Sequence, residues 1–170
     1  NPTDSIGSRR TVILARAAGE MDRARSRRVR RARIATAAVI LETIPATIGF
    51  PVPEPGYLSG VRDLCDEYGT LYIADEVQTG LGRSGSMWAV EAFGVTPDIL
   101  VTGKGLSGGL YPIAATLLSS RAGAWLEDDG WANISTFGGA ELGCRVARAV
   151  LDVTTRPETA AGVLRLTDTF

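Results

Sequence analysis

The chain contains no histidine. That absence removes histidine-based catalytic triads and the usual histidine zinc sites. Cysteine is almost as scarce: Cys65 and Cys144 are the only two, and they make no metal-ligand spacing. Both read as buried thiols of a reducing compartment, and no metal site is expected. No apolar run approaches the length of a transmembrane span, and no secretory signal opens the sequence, so no membrane association and a cytoplasmic location are the expectations. A formal net charge of -1 gives no overall bias toward nucleic acid. The 170 residues, 45% of them hydrophobic, fit one globular domain able to bury a core. Internal repeats are missing as well.

Lysine is the most informative scarcity. Lys104 is the single lysine among 18 Lys and Arg residues. It lies in Val101-Thr102-Gly103-Lys104-Gly105-Leu106-Ser107-Gly108-Gly109, directly after the apolar run Ile99-Leu100-Val101. A guanidinium stays protonated and is a poor nucleophile, whereas an amine can lose its proton and form an imine with a carbonyl. The plain alternative is a surface lysine that never drifted to arginine. Gly103, Gly105, Gly108 and Gly109 fit a backbone passing close to a ligand, or a flexible loop.

A second motif lies upstream, in Leu71-Tyr72-Ile73-Ala74-Asp75-Glu76-Val77-Gln78-Thr79-Gly80. Leu71 to Ala74 is short and continuously apolar, as suits a parallel strand buried on both faces. Asp75 then stands at the carboxyl end of that strand, the edge where ligands bind in open α/β sheets. The alternative is that Asp75 caps the next element.

Coarse patterning predicts a parallel α/β unit. A strand at Ala37 to Leu41 leads into a Pro/Gly-rich loop through Gly56, and a helix over Tyr57 to Tyr68 is stopped by Gly69. The Leu71 strand follows, by a right-handed crossover. Further strands are expected at Ile99 to Val101 and Ile113 to Leu118. A short helix should follow Ser119-Ser120, and a longer one should span Gly139 to Val153. Gly80-Leu81-Gly82-Arg83-Ser84-Gly85 matches the dinucleotide-binding spacing. It comes after a strand and a polar turn, with no clear helix at Gly85, so a nicotinamide fold is the weaker rival.

Ile-Ala-Asp-Glu-Val-Gln-Thr-Gly-Leu-Gly-Arg-Ser-Gly (Ile73 to Gly85), Pro97-Asp98-Ile99-Leu100, Thr102-Gly103-Lys104-Gly105 and Ser135-Thr136-Phe137-Gly138-Gly139, in that order, resemble the class III aminotransferases. These are pyridoxal-phosphate enzymes of fold type I. The resemblance covers Ala37 to Val153, about two thirds of the chain. It implies an α/β fold in which residues 37–170 are part of the large cofactor-binding domain, a mostly parallel sheet with flanking helices. It further implies that Lys104 forms a Schiff base with pyridoxal 5'-phosphate and carries the proton between substrate carbon and cofactor. Asp75 would pair with the pyridine nitrogen, and Gln78 would hydrogen-bond the phenolic oxygen, a polar turn residue being the alternative. Thr136 would reach the phosphate of the neighbouring subunit in a homodimer, or cap the helix beginning near Ala140. Glu42 matches a glutamate on the substrate side, but the chain reads Glu42-Thr43-Ile44-Pro45 where Glu-Pro-Val/Ile-Gln-Gly is commoner.

The activity so implied is amino transfer from a small-molecule amino donor to a keto acid or aldehyde. A pyridoxal-phosphate decarboxylase or aminomutase, or a non-catalytic fragment or binding remnant, are the alternatives. Class III enzymes are typically more than twice this length. Their glycine/serine phosphate loop, the aromatic residue that stacks on the ring and the small C-terminal domain find no match here. Residues 1–36 read as an arginine-rich N-terminal segment of no predicted structure, with seven arginines and no acid between Arg23 and Arg33. It reads as a solvated segment, as an arm for nucleic acid or an anionic surface, or as the product of a shifted reading frame upstream of Ala37.

Overall fold

The computed structural model describes residues 11–14 and 36–167. The arginine cluster Arg23–Arg33 lies outside the described residues. Five strands, β1 (Thr11–Leu14), β2 (Thr36–Glu42), β3 (Leu71–Asp75), β4 (Ile99–Thr102) and β5 (Ala115–Leu118), form one sheet in the order β1-β2-β3-β4-β5. The first four run parallel and β5 pairs antiparallel with β4.

Between β2 and β3 runs helix α1 (Tyr57–Tyr68), with the boundaries its sequence predicts. Leu58, Val61 and Cys65 recur on one helical face and are its buried residues. Gly69 ends the helix at φ 64°, and the N–H of Thr70 donates to the Cys65 carbonyl at 2.8 Å, a bond pattern that satisfies the last carbonyls. The α1 face packs on Leu41, Tyr72 and Ala74 of the sheet, with Val90 and Val95 closing the cluster. Burying each of the larger side chains contributes about 1.5–3 kcal/mol.

At the amino end of the strands Asp98 ties this layer together. Its carboxylate accepts from the backbone N–H of Tyr72 and from Arg62 Nη1, both at 2.8 Å, with Arg121 Nη1 3.6 Å away. Burial works to raise the Asp98 carboxyl, but the Tyr72 N–H and the Arg62 guanidinium outweigh it and hold it below the usual carboxylate range.

After β5 come α2 (Ser120–Gly123), capped by Ser119, and α3 (Trp125–Asp128). Helices α4 (Glu141–Thr154) and α5 (Pro157–Thr167) complete the described chain. Four details differ from the sequence expectation. Cys65 is buried as expected but Cys144 is exposed, because α4 turns Gly143 rather than Cys144 toward Tyr111 and Ile113. β5 begins at Ala115 rather than Ile113, because β4 ends at Thr102, the partner of Ala115, leaving Ile113 and Ala114 beside Gly103 without a ladder partner. α4 begins at Glu141, since Gly139 is held at φ 71°, outside the helical region. α5 was not expected, although Pro157 at its first position is a common helix start. At the edge strand, Leu117 and Leu118 stand 45% and 38% exposed.

Candidate active site

Strand register assembles the site. Glu42 is opposite Asp75, and Asp75 is opposite Val101, across three adjacent parallel strands. All three carboxyl ends therefore share one edge, and Glu42 and Asp75 share one face of the sheet. Each carboxylate is anchored locally. Asp75 Oδ1 accepts from the Val77 N–H at 3.0 Å, and Glu42 Oε2 accepts from the Ala46 N–H at 3.1 Å at the start of a short 3-10 turn. The bond to Val77 is a local turn contact, and Asp75 is the N-cap of no described helix.

Lys104 opens a 3-10 turn, Lys104–Ser107, two residues beyond β4. Its Nζ donates to Gln78 Oε1, so two residues 26 positions apart in sequence meet. Lys104 is exposed and has φ 45°, a left-handed conformation that costs a non-glycine residue about 1–3 kcal/mol. Leu81, in the loop after Gln78, is also left-handed at φ 60°, and a Cβ on Gly105 would meet its side chain at 3.3 Å. Two strained residues thus lie where the Gln78 and Lys104 loops touch. The lysine turn is held by buried Leu106 beneath it and by Ser107 Oγ, which donates to the Lys104 carbonyl at 2.7 Å. Helix α4 backs it: a Cβ on Gly108 would lie 3.0 Å from Val150 Cγ2.

Thr136 is not brought to this edge by any hydrogen bond among the described residues. It is exposed in a turn closed by Gly138 N–H donating to Ser135 Oγ at 2.9 Å. Nor does it cap α4, whose N-cap position is Ala140 with no side-chain cap. A helix start needs its cap immediately before the first turn, and Thr136 sits too far upstream.

The sequence reading passed over Glu76. Its carboxylate is 1% exposed and accepts four hydrogen bonds: from Thr43 Oγ1 and Thr79 Oγ1, each at 2.6 Å, and from the N–H groups of Val90 at 2.8 Å and Ala89 at 3.1 Å. Strand alternation was the available signal. If Asp75 faces the ligand edge, Glu76 faces the core, and a buried carboxylate requires donors.

The family pattern described as aminotransferase class III matches residues 14–170. The chain belongs to the class III aminotransferases. An uncharacterized aminotransferase of Archaeoglobus fulgidus is 54% identical over 121 residues, covering 71% of this chain and 28% of that protein. Among solved structures, an ornithine aminotransferase of Toxoplasma gondii superposes with TM-score 0.72 at 39% identity, over 79% of this chain and 31% of its own. That structure is described with partial occupancy of PLP at the active site. The N-acetylornithine aminotransferase of Stenotrophomonas maltophilia gives TM-score 0.68 at 34% identity, covering 79% of this chain and 33% of that one. The chain therefore spans about a third or less of these class III relatives. The α/β fold with a mostly parallel sheet agrees with them. Among the described residues no helix is long and apolar enough to cross a membrane, and no cluster of His, Cys, Asp and Glu could hold a metal ion.

Proposed function

We propose that this chain carries the lysine edge of a pyridoxal-phosphate aminotransferase site, which moves an amino group from an amino donor to a keto acid or aldehyde. The observation that carries the reading is the single lysine, exposed at a strand end and held by Gln78 at the edge that also bears Asp75. The donor set fits the ring end of the cofactor: one amine, one amide and one carboxylate. When bound, the cofactor supplies a carbonyl carbon for amine exchange and a ring that draws off electrons from the substrate carbon.

In this reading Lys104 anchors the cofactor covalently and carries a proton at Nζ. Asp75 holds a proton at the ring nitrogen, and its bond to the Val77 N–H fixes the carboxylate's direction. Gln78 orients both the amine and the ring's phenolic oxygen. Glu42, in register beside Asp75, borders the substrate side. Exposed Thr136 fits a phosphate contact made across a homodimer, toward the partner's site. Ornithine and acetylornithine in the names of the structural neighbours make terminal-amine donors the first to assay.

The test is to mix the chain with pyridoxal phosphate, reduce with borohydride, and map the adduct by mass spectrometry. Apart from the chain's N-terminal amine, only Lys104 can be labelled. Selective labelling of Lys104 is expected. Labelling confined to the terminus, or none, favours the non-catalytic remnant instead.

A further inference from the structure

Glu76 belongs to none of the roles above, yet it is the most heavily bonded side chain near the site. Its four donors come from three separate places: Thr43 just past β2, Thr79 in the turn after β3, and Ala89 and Val90 at the start of the 3-10 turn Ala89–Phe93. Its backbone is fixed too. The Glu76 N–H donates to the Val101 carbonyl at 2.9 Å, and the Glu76 carbonyl accepts from the Gly80 N–H at 2.9 Å. The segment 76–80 is therefore pinned at both ends, and in its middle at Thr79. Gln78 is the residue that this closed turn presents to Lys104. Thr43 directly follows Glu42, so this arm ties the end of β2 to the turn after β3.

We propose that Glu76 is a positioning residue of the Lys104 site: its buried carboxylate locks the turn that follows Asp75 and carries Gln78, and so sets where the Lys104 amine is held. The inference rests on the reading of Lys104 and Gln78 as site residues, but not on whether the cofactor binds. Glu76→Gln is the informative variant. Whichever way the amide turns, its NH2 faces one backbone N–H, of Ala89 or Val90. The threonine hydroxyls can rotate to accept, whereas a backbone N–H cannot. The turn must then shift.

The single lysine supplies a readout within one molecule. The chain is treated with acetaldehyde and cyanoborohydride, and peptide mapping gives the ratio of alkylation at Lys104 to that at the N-terminal amine. A Gln78 oxygen holding Nζ competes with the aldehyde for the amine. Gln78→Leu and Glu76→Gln should therefore each raise the ratio about fivefold, the scale of one lost hydrogen bond, and the double variant should raise it no further. A Glu76→Gln chain that unfolds at lower urea with an unchanged ratio makes Glu76 merely structural and overturns the proposal. So does an unchanged ratio in Gln78→Leu. Should Glu76→Gln not fold, Thr79→Val, which removes one donor and keeps the carboxylate, is read by the same two outcomes. Failure of Lys104 to take up pyridoxal phosphate leaves this ratio untouched and overturns only the cofactor reading.

Discussion

Asp98→Asn should destabilise the chain by about 1 kcal/mol at pH 7. The carboxylate has two short contacts, the Tyr72 N–H and Arg62 Nη1, each at 2.8 Å, and its side chain is only 10% exposed. Both contacts end on the same oxygen, so an asparagine oxygen there keeps both bonds; what is lost is the negative charge facing Arg62 and Arg121, which strengthens such a bond by about 1 kcal/mol over a neutral acceptor. Arg62 is not left unpaired. It retains Asp66 at 2.7 Å, a partner 60% exposed that recovers little on its own. With a urea dependence of about 2 kcal/mol per molar, the unfolding midpoint should fall by about 0.5 M. The pH dependence gives a second, independent check. Because folding lowers the Asp98 carboxyl, the unfolded chain binds the proton more readily. Its contribution is full above the ordinary aspartate value of about 3.9 and disappears as pH falls through the lower folded value. The gap between wild type and variant, followed by urea titration, should therefore be wide at pH 7 and close in acid. Equal midpoints at pH 7, or a gap that persists unchanged at pH 3, would refute the reasoning.

Two further outcomes follow from the same geometry. Gly80→Ala places a Cβ 2.7 Å from the Glu76 carbonyl oxygen and 2.8 Å from the Trp88 ring, so it should cost about 1–3 kcal/mol in thermal or urea unfolding. A neutral result means that the Trp88 ring does not pack there in solution. Asp75→Ala should reduce amino transfer at least about 100-fold in the cofactor-loaded protein, the scale of losing one placed electrostatic group. Its urea midpoint should move by no more than about 0.5 M, since Asp75 is half-buried with a single local bond. Near-normal turnover would remove Asp75 from the site.

Local signals carried much of the fold. The boundaries of α1 follow from the spacing of Leu58, Val61 and Cys65 and from Gly69, all within a few residues of one another. β3 and β4 were legible as short apolar runs, and the ends of both pointed to one sheet edge. The start of β5 was not, because it depends on where β4 stops rather than on Ile113 itself. Alternation could turn Glu76 toward the core, but its partners were hidden for a related reason. Thr43 lies 33 residues upstream and Val90 14 downstream, so no spacing within the motif shows that its carboxylate has donors. The Asp98 node is likewise built from Arg62, 36 residues away.

By itself, then, the sequence determined which chemistry is available: one amine, no imidazole, and a carboxylate at a strand end, in an order that marks the family. Those are properties of residue type and local order, which survive in a linear string. Only the tertiary structure decided which of those groups meet. It set Gln78 against Lys104, aligned Glu42 with Asp75, and left Thr136 exposed in a turn of its own. The reason is that parallel strands are joined by long crossovers, so their register is set by packing between segments far apart in the chain.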